Sequence, residues 1–221
     1  MWSHDSNAQA AGARRSSVSI ELRRHVNALV SDFAAEYGEV DLVRRRVECD
    51  PAEHDAVVAS FDSFGVVGGA GVWIVRDGAV LLARYERADG WIEPGAGRRP
   101  GESYTECAKR GVRETAGTEA AIKGLAQVQL VYLDDPTGRP PVPSPYVAFR
   151  GSIAGGAPVP DADATATDTI GSGPNPGTDG VQTPGREPTA VGGPSVAPDG
   201  TPVALRWAEE PPEELAYDQL S

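Results

Sequence analysis

Residues 91–120 read "WIEPGAGRRPGESYTECAKRGVRETAGTEA", a Gly/Pro-rich loop that runs into a helix laced with Glu and Arg. Ser103 with Glu106 three residues later forms a capping box, and Gly117 supplies a terminator, so the stretch predicts a helix over 104–116. On that helix Glu106, Arg110 and Glu114 recur every four residues and share one face, while Ala108, Val112 and Ala116 share another. A carboxylate face above an apolar face could hold a metal on one side and a sheet on the other. The same spacing also makes ordinary exposed ion pairs worth about 0.2–0.5 kcal/mol each, so spacing alone leaves both readings open.

The flanks supply the sheet. Before the loop, "AGVWIVRDGAVLLARYE" consists of two apolar runs split by Asp77-Gly78, a hairpin signature. After the helix, "GLAQVQLVYLDD" and "PYVAFRGSI" read as further strands, joined by "PTGRPPVPS", whose prolines exclude an interior strand. A last short strand ends at Trp207, before a Pro-initiated turn or helix at Pro212 with Leu215 and Tyr217 facing in. Between them, residues 151–200 hold 11 Gly and 8 Pro with no apolar periodicity. The part over 158–198 therefore reads as a disordered insertion, tolerable because loop closure costs only about 0.6 kcal/mol per doubling of length.

Upstream, residues 1–19 are polar and aperiodic and read as a loose tail. From Ile20, Leu22, Val26, Leu29 and Phe33 fall on one helical face, with Ser19 as N-cap and Gly38 as terminator. A second helix is signalled by Asp50 as cap, Pro51 at the first position and Glu53 three residues after the cap. Residues 20–64 thus form a helical extension that could cap the sheet of its own chain or pair two copies as a homodimer. The main domain covers 65–157 and 199–221, with an α+β architecture: a mixed sheet flanked by helices in an α/β/α sandwich.

Composition limits the habitat and the partners. The 221 residues carry 32 Asp and Glu against 20 Lys and Arg, a formal charge of -12, and only Lys109 and Lys123 are lysines. Such an acidic, lysine-poor surface fits a salt-rich, halophilic cytosol, although a high-GC genome also replaces Lys with Arg. With no basic stripe, duplex nucleic acid is disfavoured as the main ligand. Cys49 and Cys107 read as isolated thiols in a reducing cytoplasm, and no apolar run is long enough for a membrane helix. His4, His25 and His54 lack partners at zinc-ligand spacing.

The opening stretch resembles the signature of the Nudix hydrolase family, G-x5-E-x7-R-E-U-x-E-E-x-G-U with U aliphatic. Aligned on Glu102, the matching positions are Glu102, Arg110, Val112, Glu114 and Gly117, with Pro94, Gly95 and Gly101 also in keeping. The hairpin, the following strand and "LRWAEEPPEEL" resemble the rest of that family's layout, over about 65–153 and 200–220. The departures are Ala96 for the first Gly, Gly111 and Thr115 for two Glu, and Thr118 for the closing aliphatic.

In that family three helix carboxylates and a loop carbonyl hold Mg2+ or Mn2+, which polarises a diphosphate and activates water. Those helix positions are Gly111, Glu114 and Thr115 here. The resemblance implies a metal site of Glu114, the Gly95 or Ala96 carbonyl and Glu102, with Arg110 orienting the carboxylates. Gly111 carries a helix penalty of about 1 kcal/mol relative to Ala, with no local return in the sequence. Arg84, Arg87, Arg98 and Arg99 could clamp phosphates bidentately, or be scattered surface cations. Trp91 could stack on a base or anchor the loop to the sheet. Cys107, beside Ala108 and with no nearby His, reads as packing.

Two functions follow. One is metal-dependent cleavage of a pyrophosphate linkage in a small-molecule nucleoside diphosphate derivative, with Glu114, Glu102 and Arg110 as its machinery. The other is a nucleotide-binding or regulatory module that kept the scaffold after losing hydrolysis.

Overall fold

The Asp77-Gly78 pair makes the hairpin turn that its composition predicts. Asp77 has φ 53 and Gly78 φ 87, so both centre residues are left-handed as a twist-matched two-residue turn requires. The turn joins β2 (Gly69–Arg76) to β3 (Ala79–Tyr85). This computed structural model describes residues 4–86, 90–154 and 202–209, with side chains from residue 17 onward. The expected 158–198 insertion, Arg87 and the turn bearing Leu215 and Tyr217 lie outside the described residues.

Around the hairpin grows an open mixed sheet in the order β1-β6-β7-β2-β3-β4. Here β1 is Leu42–Glu48, β4 Trp91–Ile92, β6 Ala120–Asp134 and β7 Val142–Ile153. Two strands pair off that path: β5 (Gly95–Gly97) with β2, and β8 (Pro202–Ala208) with β3. Among the described residues three helices accompany the sheet: α1 (His4–Tyr37), α2 (Pro51–Phe64) and α3 (Tyr104–Ala116). The mixed sheet flanked by helices is the fold class expected from the sequence.

Both capped helices form where their signals lie. The Asp50/Glu53 and Ser103/Glu106 boxes are made, and Gly65 and Gly117 close the helices in left-handed conformation. On α1, Val18, Leu22, Val26 and Phe33 are buried in the core beside α3 residues Cys107, Ala108 and Val112. The first helix therefore caps the sheet of its own chain.

Three expectations are corrected. Helix α1 starts at His4 rather than after Ser19, because the Ala-rich run upstream is itself a good helix former and places Ser19 inside the helix. The segment over 20–64 is not purely helical, since it includes β1, paired in parallel with β6 from Leu42 to Glu48. Its three consecutive arginines hide the period-2 signal, and it is an edge strand, where charge is tolerated. Strand β7 lies inside the sheet and contains Pro143 and Pro145, yet its β2 partner begins only opposite Tyr146. The prolines thus occupy the stretch flanked by β6 alone.

Candidate functional site

Strand pairing fixes the glycine loop from below. Gly69, Ala70 and Gly71 pair with Gly97, Ala96 and Gly95, and the Arg98 amide donates to the Gly68 carbonyl at 3.0 Å. The loop then folds on itself as the Arg99 amide donates to Glu102 Oε2 at 2.9 Å and the Glu102 amide to the Arg99 carbonyl at 3.1 Å. Ser103 caps α3 directly afterwards, so loop and helix form one continuous unit.

Arg110 ties that unit together. Its guanidinium donates to Glu102 through Nε at 2.7 Å and Nη2 at 2.9 Å, to Glu114 Oε2 at 2.9 Å and to the Gly97 carbonyl at 2.7 Å. The Arg110 side chain is only 10% exposed and Glu102 13%, whereas Glu114 is 46% exposed and also meets Arg99 at 3.2 Å. Burial works to raise the Glu102 pKa, but the Arg110 hydrogen bonds and the Arg99 amide outweigh it and hold the carboxyl below its usual value. Arg110 is pushed up, first by the Glu102 hydrogen bond, against the opposing effect of burial. Both groups stay charged, and their charges satisfy each other.

The residues around this unit do not fit a divalent cation. At Gly111 a Cβ would fall 2.4 Å from the Gly95 carbonyl carbon and 2.6 Å from its Cα, so the helix backbone lies directly on the loop. A glutamate has no room there. The glycine does have a return after all, the close approach of α3 to β5.

Thr115, the second lost carboxylate, shares a hydrogen bond with Tyr85 Oη at 2.9 Å. The Tyr85 hydroxyl also lies 3.2 Å from the Gly95 carbonyl and accepts from the Gly95 amide at 3.1 Å. Burial pushes the Tyr85 pKa up to about 12, so the phenol is neutral. The Ala96 carbonyl accepts from the Cys107 thiol at 3.1 Å, and burial pushes that thiol up to about 12 as well. Both loop carbonyls are therefore engaged by protein donors, and Glu114 is held by two arginines. Among the described residues no group of three His, Cys, Asp or Glu is placed to hold a metal ion.

The other arginines do not converge. Arg98 lies over the Tyr104 ring at 4.8 Å and reaches the Gly65 carbonyl at 3.4 Å, while its neighbour Arg99 turns to Glu114. Arg84 is exposed, directly across from Trp91, whose ring carries the Arg206 guanidinium at 4.1 Å from its centroid. Sequence reasoning missed Arg206, and it offered Glu93 only as a carboxylate that could join a metal cluster, whereas the residue is 2% exposed. Burial pushes the Glu93 pKa up to about 7, against hydrogen bonds from Trp73 and Tyr146. The signal available was the alternation of "WIE", which puts Trp91 and Glu93 on one side of a strand.

Neither a family model nor a curated protein sequence matches the chain. Among solved structures it is similar to a NUDIX hydrolase from Nitrosomonas europaea, at 21% identity and TM-score 0.32 over 40% of this chain and 47% of that one. It is also similar to a UDP-X diphosphatase, at 21% identity and TM-score 0.32 over 60% of each chain. A C. elegans Ap4A hydrolase aligns at 20% identity and TM-score 0.31, over 40% of this chain and 68% of that one. The chain thus spans about half to three fifths of the first two proteins. Its chemistry has to be read from its own residues.

Proposed function

We propose that this chain is a Nudix-like module that binds a diphosphate-containing nucleotide derivative without metal-dependent hydrolysis. The observation that carries the reading is Gly111 pressed against the Gly95 backbone, where a ligating carboxylate would have to stand. Thr115, engaged with Tyr85, supports it, since only Glu114 remains of the three helix carboxylates. Mg2+ is commonly anchored by one or two carboxylates and otherwise keeps water and substrate phosphate. Glu114 could serve as such an anchor only by giving up Arg110 and Arg99. Arg84 and Arg206 with Trp91 supply the cationic and aromatic groups that a phosphorylated heterocycle needs. The two unpaired, buried cysteines agree with a reducing cytoplasmic setting.

Half-exposed Glu114 favours a second reading, a Nudix-type pyrophosphohydrolase of low efficiency with Mg2+ or Mn2+. Incubation with dinucleoside, sugar and oxidised nucleotides separates the two, with and without each metal, following phosphate and nucleoside monophosphate release. Binding by calorimetry in EDTA with no metal-stimulated release is the expected result. Metal-dependent turnover that disappears in Glu114→Gln would establish the hydrolase instead.

A further inference from the structure

The two borders of the sheet are finished differently. At one border β8 opens on Pro202, and its ladder with β3 is bulged between Arg84 and Tyr85. Prolines and bulges are common means of keeping a border strand from pairing further. At the other border β1 has neither, and its seven residues pair with β6 in unbroken register from Leu42 to Glu48. Among the described residues the one extensive contact of β1 is with β6.

Two bonds at the ends of that ladder fix which backbone groups it engages. The Val128 amide donates to the Asp41 carbonyl at 2.8 Å, and the Cys49 amide to the Asp134 carbonyl at 2.9 Å. In a parallel pair alternate residues face the neighbouring strand. Val43, Arg45 and Val47 therefore turn their backbone groups to β6, and Leu42, Arg44, Arg46 and Glu48 turn theirs outward. Those four N–H and C=O pairs are a template for one more strand.

The side chains select the strand. Residues 44–46 are the one run of three cations in a chain of net charge -12. Arg46 is 71% exposed in its pair with Asp134, while exposed Arg44 and half-buried Arg45 make no ion pair among the described residues. Val47 beside them is 39% exposed. A second copy added across a two-fold axis would lay the three arginines against their counterparts, and like charges directly opposite are destabilising. The charge that turns away a copy attracts carboxylates, so it discriminates between strands rather than closing the border to all of them. Asp41 and Glu48 bound the arginines, which limits the acidic part of a complementary strand to its centre.

We propose that β1 receives an extended segment of a partner protein as an added strand, acidic over about three residues and flanked by uncharged β-branched residues. Main-chain hydrogen bonds to Leu42, Arg44, Arg46 and Glu48 dock it, carboxylates beside Arg44 and Arg45 select it, and an apolar flank covers Val47.

Calorimetry and two-dimensional amide NMR on the full chain test this with the capped peptide Thr-Val-Glu-Glu-Glu-Val-Thr. Its controls are the same peptide with lysine for glutamate, and with its three glutamates N-methylated, which keeps the charge and removes ladder donors. The parent peptide is expected to bind about tenfold or more tighter than either control, with amide shifts centred on Leu42, Arg44, Arg46 and Glu48. The double variant Arg44→Gln, Arg45→Gln should lower its affinity by about tenfold while leaving the chain folded. Equal binding of the N-methylated peptide means attraction by charge alone and overturns strand addition. Equal binding of the lysine peptide, no binding, or shifts confined to other strands overturns it too. A dimer of the chain alone that is lost in Arg44→Pro puts a second copy on β1 and overturns the acidic partner.

Discussion

Arg110 and Arg139 are clamped by the same kinds of partner in two different parts of the molecule. Arg110 bridges Glu102 and Glu114 and donates to the Gly97 carbonyl. Arg139, in the loop between β6 and β7, bridges Asp135 and Asp55 of α2 and donates to the Pro51 carbonyl at 3.0 Å. Each cation fastens a loop to a helix through two carboxylates and one backbone oxygen. Only the first lies in the stretch that resembles a catalytic signature. The repetition teaches that the Arg110 network is by itself a loop fastener, and that its chemistry depends on its neighbours. Those neighbours are Gly111 and Thr115 at α3.

The sharpest way to break the comparison is to remove each arginine in turn. Arg110→Ala leaves Glu102, 13% exposed, without its ion partner. Breaking a buried pair from one side typically costs about 3–5 kcal/mol. Arg139 is 25% exposed, and its wholly buried partner Asp135 keeps two hydrogen bonds from Thr137 where Glu102 keeps only that of the Arg99 amide, so Arg139→Ala should cost less. Urea unfolding of the two variants beside the parent reads both losses. An Arg139→Ala loss equal to or above that of Arg110→Ala would mean that burial of the stranded carboxylate outweighs the hydrogen bonds that Asp135 keeps.

A smaller effect is expected next door. Gly111→Ala gains helix propensity of about 1 kcal/mol but drives a methyl into the Gly95 backbone, and overpacking of this kind costs about 1–3 kcal/mol or more. The net result should be destabilisation, where an ordinary exposed helix glycine would give stabilisation. A more stable Gly111→Ala protein, measured by thermal unfolding, would show that α3 can stand off from β5 and that a carboxylate could be accommodated there.

What the sequence revealed follows the same division. The caps at Asp50 and Ser103, the Asp77-Gly78 turn and the strands of β6 and β7 depend on neighbours within a few residues, and each formed where it was expected apart from the start of β7, which reaches back to Val142. Strand β1 did not announce itself, because "RRR" reads as solvated charge until β6 lies beside it. At 111 the sequence showed only a missing carboxylate and a propensity penalty. The reason for the glycine lies 16 residues away at Gly95, across a contact that no local pattern encodes. Arg98 and Arg99 look equivalent as a pair, yet one lies over Tyr104 and the other reaches Glu114. Glu93 was visible only as one acidic residue among many, and its burial beneath the sheet is a product of β2, β4 and β7 together.

The smallest effect on stability should come from Arg99, and for that reason it separates fastening from binding. Its pair with Glu114 is 61% and 46% exposed, and such surface pairs are worth about 0–1 kcal/mol. Arg99→Ala should therefore unfold within about 1 kcal/mol of the parent. If Arg99 serves only to hold Glu114, binding of a nucleoside diphosphate should be as little affected as stability. If it contacts the diphosphate, affinity should fall by about tenfold or more, the usual size of a charge-assisted hydrogen bond, in a protein whose fold is undisturbed. Calorimetry and urea unfolding on the same preparation read both quantities. A variant that binds like the parent would leave Arg84 and Arg206 as the cations that receive the phosphates and confine the α3 arginines to fastening the loop.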